Sequence, residues 1–267
     1  MNIITGLPRS GSTLLCNILN QNPKIWAGST SILPQLCSNL INTWSNAPEI
    51  KGDLDRAKEE TENKLCRSLK AFCEAWHKRE DGREVIFDKS RGWAHHILAL
   101  LKIFPESKII VTVRDLREVF ASVEKQHRKN GTLDEANNPS AKTLYGRADN
   151  MFSKDGIIGG PIEGIEDIIR RKFKVYWVKY DFLVERPKST MKEIYEFIEQ
   201  DEFEHDFENV ESTATDHDGL YLHKYPHKGE GKVEPGKLND WKEYVPQDIA
   251  DLTMDRFKFF NNFFGYR

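Results

Sequence analysis

Residues 6–13 read Gly6-Leu7-Pro8-Arg9-Ser10-Gly11-Ser12-Thr13, and they separate two segments of different periodicity. Upstream, Ile3-Ile4-Thr5 is a short apolar run of the kind found in buried strands. Downstream, apolar residues recur with helical spacing between Leu14 and Leu19. A glycine-bearing turn between a strand and a helix favours an anion, because N–H groups point outward there and the helix dipole attracts negative charge. The turn is therefore predicted to bind a phosphate-like group.

The residue types in this turn suit that role. Ser10, Ser12 and Thr13 offer hydroxyl donors, Arg9 offers a forked cation, and Gly11 lets the backbone approach the anion closely. The spacing almost fits the nucleotide-triphosphatase pattern G-x-x-x-x-G-K-[ST], but Ser12 takes the position of the lysine that reaches the β- and γ-phosphates. We therefore expect these five residues to hold a single 5′-phosphate or phosphosulfate rather than a triphosphate.

Strand-like and helix-like segments alternate along the chain on both sides of this turn. Strands are predicted at residues 3–5, 85–87, 109–113 and 174–180, and helices at 12–19, 54–76, 94–104, 115–125, 189–199 and from Pro246 onward. This alternation indicates one α/β domain over residues 1–267, with a central parallel sheet flanked by helices and a P-loop-like phosphate-binding turn. Residues 127–164 are polar, glycine-rich and weakly periodic, so we expect a long irregular insert or lid that determines specificity.

Composition limits the function classes. Of 267 residues, 39% are hydrophobic and 30% are charged, which is typical of a globular protein. The net charge of −3 disfavours a nucleic-acid partner, and no apolar run approaches the roughly twenty residues of a membrane span. Four cysteines are too few for a disulfide scaffold and are expected to be small buried apolar groups. With no secretory signal at the start of this sequence, we expect a cytoplasmic protein.

A second candidate anion site follows the clearest strand. Arg114 comes directly after the run 109–113, and Ser122 lies eight residues later, two turns into the next predicted helix. At about 1.5 Å per residue, Ser122 stays within reach of a ligand near the helix start, so the arginine fork and the hydroxyl can hold a second phosphate. The alternative is a strand-end arginine paired with Asp115.

Together the two motifs resemble those of the sulfotransferases that use 3′-phosphoadenosine 5′-phosphosulfate (PAPS). Residues 7–15 are similar to the 5′-phosphosulfate loop of tyrosylprotein and many bacterial sulfotransferases, and Arg114 with Ser122 is similar to the family's 3′-phosphate motif. The resemblance implies transfer of a sulfuryl group from PAPS to an acceptor hydroxyl or amine, with adenosine 3′,5′-bisphosphate as product and no metal.

Two later segments extend the resemblance. Residues 179–187 are similar to the family's Y-[ED]-x-L-V-x-x-P stretch, which implies that Tyr180 lies near the nucleotide. Residues 231–241 are similar to the late loop that closes over the 3′-phosphate. Either Lys232 or Lys237 supplies the cation there, and Lys232 is preferred.

The catalytic groups are less fully specified. Lys89 follows the strand at 85–87, which puts it at the sheet edge where ligands bind in α/β folds, and the resemblance implies that it contacts the sulfuryl group beside Arg9. The alternative is a surface lysine paired with Asp88. The glutamate of the tyrosylprotein G-E-E-T motif is missing from residues 28–31, and Arg91 stands where cytosolic enzymes have histidine. His95 is the base we select, with His96 or an acid from 127–164 as alternatives.

Other functions remain as alternatives. A Mg²⁺-dependent P-loop kinase for small molecules needs the lysine that Ser12 replaces, and a non-catalytic binder of an adenosine bisphosphate keeps both anion sites without needing Lys89. No metal-ligand pattern is visible, since the adjacent His95 and His96 point in different directions on a helix. The acceptor stays open among sugars, lipids, phenols, alcohols and peptide tyrosines, and so does the oligomeric state.

Overall fold

The computed structural model describes residues 1–130, 139–214, 226, 229–236 and 240–267. Its centre is a five-stranded sheet in the order β2-β3-β1-β4-β5, in which every neighbouring pair is parallel. The strands are β1 (Asn2–Gly6), β2 (Ile25–Thr30), β3 (Val85–Lys89), β4 (Ile109–Val113) and β5 (Tyr176–Lys179). The predicted parallel α/β sheet is therefore confirmed, and β2 is a strand that the sequence pattern did not show.

The sheet is covered on both faces, as a parallel sheet requires. All five residues of β4 are buried, which explains its continuous β-branched pattern. Successive residues of a strand point to opposite faces. Accordingly, Ile3 and Val111 belong to one hydrophobic core, whereas Ile4 and Ile110 belong to a second one.

Helices form the two outer layers. They are α1 (Ser12–Leu19), α2 (Leu33–Asn46), α3 (Pro48–Trp76), α4 (Ile97–Ile103), α5 (Leu116–Asn130), α6 (Leu144–Phe152), α7 (Gly159–Arg171), α8 (Tyr180–Glu185), α9 (Pro187–Ile198), α10 (Trp241–Tyr244), α11 (Gln247–Arg256) and α12 (Lys258–Phe264). Short 3₁₀ helices span Arg91–His95 and Pro139–Lys142. Among the described helices, none is long and apolar enough to cross a membrane.

Two predicted helices are interrupted. The helix expected over residues 94–104 is a 3₁₀ turn, Arg91–His95, followed by α4, because the indole of Trp93 donates a hydrogen bond to Asp88 and holds the turn against β3. The helix expected after Pro246 breaks at Phe257 into α11 and α12. There the side-chain amide of Asn261 donates to two carbonyls in the last turn of α11, which stabilises the break.

The expectation of an irregular segment at 127–164 is wrong for the residues that the structure describes. Helix α5 continues to Asn130, and α6 and α7 follow. Their apolar side chains, including Phe152, Ile158 and Ile162, are part of the first core. Glycines and a polar outer surface weaken the helical pattern in this stretch, so tertiary packing rather than local periodicity determines the structure.

A buried ion pair connects α5 to α6. Arg147 donates to both carboxylate oxygens of Glu124, over 2.9 and 2.7 Å, and also to the carbonyl of Ala141. Burial raises the pKa of Glu124, but the hydrogen bonds and charge of Arg147 outweigh this effect and hold the pKa below its usual range. Arg128 reaches the same carboxylate from the surface, with its side chain 48% exposed.

Replacing Arg147 with alanine is expected to lower the free energy of unfolding by about 3–5 kcal/mol, because Glu124 then stays buried without its main partner. Arg128→Ala is the matched control and should cost under about 1 kcal/mol, since exposed pairs contribute little. Urea denaturation measures both. Because the pKa of Glu124 is depressed, the wild-type advantage should be present at neutral pH and decline as the pH falls through that pKa. Equal losses in the two variants would contradict this assignment.

Candidate functional site

The turn between β1 and α1 needs an unusual backbone. Gly6 has φ +138°, and a Cβ there would lie 2.1 Å from the carbonyl oxygen of Thr112. Gly11, at the N-cap of α1, has φ +85°, and a Cβ there would lie 2.8 Å from the ring of Tyr180. Arg9 also adopts the left-handed region, with φ +58°. Non-glycine residues in this region concentrate at functional sites, so the conformation of Arg9 supports a ligand-binding turn.

Ser10 organises the turn from within. Its buried hydroxyl lies 2.6 Å from the carbonyl oxygen of Leu7 and 2.7 Å from the hydroxyl of Thr112 on β4. These contacts occupy the side chain, so Ser10 can serve an anion mainly through its backbone N–H. Thr112 is a site residue that the sequence analysis missed. The available signal was a hydroxyl within an otherwise aliphatic strand.

Lys89 lies at the same edge of the sheet. Its side chain is buried, and its ammonium group donates to the hydroxyl of Thr13 over 2.9 Å. The structure thus brings together a strand-end lysine and the first turn of α1, which are 76 residues apart. Pairing of Lys89 with Asp88, the alternative reading, is not what the structure shows.

Asp88 instead faces the opposite side of β3. Its carboxylate accepts hydrogen bonds from the indole of Trp93 and contacts the imidazole of His77 over 2.9 Å. Both partners are buried with it. These contacts attach the end of α3 and the 3₁₀ turn after Lys89 to the strand, which fixes the direction in which the chain leaves the sheet.

The second anion motif contacts the first directly. Nε of Arg9 donates to the hydroxyl of Ser122 over 3.1 Å, and Nη1 of Arg114 donates to the carbonyl of Arg9 over 3.3 Å. The guanidinium of Arg114 lies 4.2 Å from the ring centroid of Tyr180. The structure therefore gathers four of the residues singled out in the sequence around one point. Arg114 does not pair with Asp115, whose carboxylate binds Arg117.

Arg114 also retains an unused donor. Among the described residues, its buried Nε has no hydrogen-bond partner. The carboxylate of Glu118 lies 3.4 Å from Nη2 of Arg114. Burial raises the pKa of Glu118, although the charge of Arg114 opposes this shift. An unpartnered guanidinium N–H beside the turn fits a phosphate oxygen, which is the group that an adenosine 3′,5′-bisphosphate moiety would present.

The late part of the chain crosses the start of α1. Nη1 of Arg9 donates to the carbonyl of Pro226 over 3.0 Å, and the amide of Asn17 donates to the carbonyl of Gly229 over 2.6 Å. The oxygen of the same amide accepts a hydrogen bond from the backbone N–H of Ala214, at 2.7 Å. Asn17 is thus a clamp that the sequence analysis did not identify, because its partners lie about two hundred residues away.

Of the two candidate lysines near the end of the chain, the structure describes only Lys232. Lys232 is more than half exposed, and its ammonium lies 2.8 Å from a carboxylate oxygen of Glu208. Among the described residues, Lys232 makes no hydrogen bond to the turn at residues 6–13 or to Arg114. Lys237 falls outside the described residues.

The two candidate histidines, His95 and His96, follow Lys89 in the chain. His95 is exposed at the end of the 3₁₀ turn, and His96 is half-buried next to it. Burial, together with the charge of His95, lowers the pKa of His96. Ser12 is half-buried at the first position of α1. Within the described ranges, no group of three or more His, Cys, Asp or Glu residues is arranged to hold a metal ion.

Comparison with known sequences gives consistent matches. A family model described as the sulfotransferase family matches residues 3–205. Protein-tyrosine sulfotransferase 1 of Danio rerio is 24% identical over 255 residues, which cover 92% of this chain and 66% of that protein. Protein-tyrosine sulfotransferase 2 of Gallus gallus is 31% identical over 116 residues, or 43% of this chain and 31% of that protein. The chain thus spans just under two thirds of the first relative and matches less of the second.

Comparison with solved structures supports the fold. The sulfotransferase domain of the Synechococcus PCC 7002 olefin synthase aligns over 97% of this chain and 94% of its own, with 21% identity and a TM-score of 0.52. Mouse sulfotransferase SULT7A1, solved with PAP, aligns over 96% of this chain and 82% of its own, with 13% identity and a TM-score of 0.53. At these identities the similarity concerns the architecture.

Proposed function

Because this chain belongs to the sulfotransferase family, we propose that it transfers the sulfuryl group of PAPS to an acceptor hydroxyl or amine and releases adenosine 3′,5′-bisphosphate. The observation that carries the proposal is the convergence at one sheet edge of a strained anion-binding turn, a buried lysine and an arginine with an unused donor. These groups suit a ligand with two separate phosphate positions.

The binding roles follow from position. The backbone of residues 9–11 and the side chains of Arg9, Ser12 and Thr13 hold the 5′ end, where the N-terminus of α1 adds its dipole. Arg114 and Ser122 hold the 3′-phosphate, with Tyr180 stacked against the guanidinium. Lys232 remains the preferred late cation, and binding then requires it to leave Glu208.

The transfer step depends on charge neutralisation. When bound, PAPS supplies an activated sulfuryl group, and its transfer places negative charge on a phosphate oxygen, as phosphoryl transfer does. Lys89 is positioned to neutralise that charge, with Thr13 holding its ammonium group over the turn. Arg9, whose guanidinium donates to Ser122 and to the carbonyl of Pro226, adds a second cation. These cations supply the neutralisation for which kinases use Mg²⁺, so we propose that transfer needs no metal.

Calorimetric titration of the wild-type protein tests the donor class. Adenosine 3′,5′-bisphosphate should bind tightly, and addition of either Mg²⁺ or EDTA should leave the affinity unchanged. ATP should bind at least about tenfold more weakly, a difference of about 1.4 kcal/mol. Preference for ATP with Mg²⁺ would overturn the proposal in favour of a small-molecule kinase. Tight bisphosphate binding without sulfuryl transfer to any acceptor would favour the non-catalytic binder.

We propose His95 as the general base, with His96 or an acid from the described part of 127–164 as alternatives. His95→Ala is expected to lower kcat by about 10²-fold, because the acceptor then loses the group that takes its proton. His96→Ala is the control. Because the pKa of His96 is lowered, a larger loss of kcat in His96→Ala, together with the loss of an acidic limb of the pH–rate profile, would identify His96 instead.

The acceptor pocket is proposed to include α6 and α7. Helix α7 packs against the 3₁₀ turn that follows Lys89, with Gly164 next to Ala94, so this helix borders the region where an acceptor must lie.

We also propose that the protein is cytoplasmic. None of the four cysteines is in a disulfide, which supports a reducing compartment, and fractionation of cells that express the protein tests it.

A further inference from the structure

Two cysteines that are distant in sequence meet in the core. Cys37 on α2 and Cys73 on α3 are both buried, with their Sγ atoms 3.6 Å apart. None of the four cysteines is in a disulfide; Cys16 lies in the other core, and Cys66 is half-buried on α3. Burial of Cys37 and Cys73 agrees with their expected role as small apolar groups. Their mutual contact does not follow from burial alone and suggests a chemical function.

The two thiols are not equivalent. The hydrogen bond from Cys73 lowers the pKa of Cys37, while the same hydrogen bond and burial raise the pKa of Cys73. The carboxylate of Asp88 opposes ionisation of both, and the α-amino group of Met1 favours it at Cys73. Cys37 is therefore the better nucleophile, and Cys73 is a protonated neighbour within reach of it.

The helices that carry this pair are weakly attached to the protein. Only three residues of α2 are buried, namely Leu33, Pro34 and Cys37. Only three residues of the much longer α3 are buried, namely Thr61, Leu69 and Cys73, and its backbone is non-helical at Ala57. Segments with few buried contacts open locally at low free-energy cost. Such opening admits a small oxidant to the thiols and lets the sulfur atoms approach to about 2.05 Å.

We propose that Cys37 and Cys73 form a reversible dithiol–disulfide site, which a small hydroperoxide such as hydrogen peroxide oxidises. The Cys37 thiolate attacks one peroxide oxygen, the O–O bond breaks, and sulfenic acid and hydroxide form. The sulfur of Cys73 then attacks the sulfur of Cys37, so that an S–S bond forms and the S–O bond breaks. The oxygen leaves with the thiol proton as water. Overall the two thiols lose two electrons and two protons, and hydrogen peroxide is reduced to two water molecules.

The disulfide would restrain one side of the candidate site. The chain leading into α2 is tied to β3, since the N–H of Ser31 donates to the carbonyl of Lys89 over 2.8 Å. The N–H of Leu33 in turn donates to the hydroxyl of Ser31 over 3.0 Å. Linking α2 to α3 therefore stabilises the segment that leaves the sheet beside Lys89. The proposal itself does not depend on sulfuryl transfer.

Peptide mapping of the intact wild-type protein tests the site. After incubation with hydrogen peroxide and alkylation of the remaining thiols, a non-reducing digest should contain a linked peptide that joins Cys37 to Cys73. Two of the four thiols should be lost, and dithiothreitol should restore them. The oxidised protein should have a melting temperature about 5–10 °C higher, because the disulfide closes a loop of about 36 residues.

Cys66→Ser is the matched control, since Cys66 is on α3 and is less buried than Cys73. The variant should form the same linked peptide, whereas Cys37→Ala should form none and should keep Cys73 reduced. Retention of all four thiols, or stable sulfinic acid at Cys37 without a linkage, would overturn the proposal. So would a linked peptide that contains Cys66. If Cys37→Ala fails to fold, the wild-type peptide map decides alone.

Discussion

The Lys89→Ala variant is expected to lose about 10²–10³-fold in kcat, the scale seen when one group that stabilises transition-state charge is removed. Affinity for adenosine 3′,5′-bisphosphate should change little, because Arg9, Arg114 and the backbone of the turn remain. The physical reason is that Lys89 is buried and held by Thr13, so its charge is preorganised in a region of low dielectric. Single-turnover assays with PAPS, together with calorimetry, measure the two effects separately.

Lys179→Ala provides the matched control for this experiment. Lys179 also ends a strand at the carboxyl edge, but its ammonium donates to the carbonyl of Phe264 and lies near the rings of Phe182 and Tyr266. Its loss should affect stability more than kcat. Added methylammonium should partly rescue Lys89→Ala, which a structural role would not allow. Wild-type turnover in Lys89→Ala would remove Lys89 from the mechanism.

For Arg114→Ala, the dissociation constant of adenosine 3′,5′-bisphosphate should rise about 100-fold, or about 2.7 kcal/mol, as expected for hydrogen bonds to a charged group. The affinity for adenosine 5′-monophosphate should fall much less, because that ligand lacks the 3′-phosphate. This contrast follows from the unused Nε donor of Arg114, whose guanidinium lies over the ring of Tyr180. Calorimetry with the two ligands measures it.

The corresponding control is Arg117→Ala. Arg117 is three residues further along the chain, but it binds Asp115 and lies over the ring of Trp241, so its loss should leave nucleotide affinity nearly unchanged. Equal weakening of both nucleotides in Arg114→Ala would show that Arg114 acts at the 5′ end, through the carbonyl of Arg9 that it supports. Unchanged binding of both would contradict the assignment of the 3′-phosphate.

Much of the fold was predictable because its strongest signals are local. A five-residue β-branched strand such as β4 and a glycine turn before α1 give clear patterns. β2 was missed because Ala27, Gly28 and Ser29 give it little β character. α2 was missed because only three of its fourteen residues are buried, so its amphipathic pattern is weak. Both are stabilised by neighbours that a local pattern does not reveal.

The same distinction applies to the site. The positions of Arg114 and Lys89 could be predicted because the carboxyl ends of parallel strands meet at one edge, and that of Ser122 because helical spacing is regular. Their roles in binding and transfer stay predictions. The contacts of Asn17 could not be predicted, because its partner lies 212 residues away. The hydroxyl of Thr112 stands out within an aliphatic strand, but the sequence does not show that its partner is Ser10, 102 residues away. The contact of Lys232 with Glu208 could not be predicted either, because it also depends on the tertiary structure. For such common residue types, only the tertiary structure distinguishes a clamp from an ordinary polar side chain.

The hydrogen bond between Arg9 and the carbonyl of Pro226 has a consequence during protein synthesis. The two residues are 217 positions apart, so the ribosome completes the turn long before it makes this partner. At about 5–20 residues per second, roughly 10–40 s separate the two events. A nascent chain that already contains β1, α1 and β4 therefore lacks the segment that crosses α1. We expect full nucleotide affinity to appear only after Pro226 has been synthesised, and chains released before that point to be deficient in binding even where the sheet has formed.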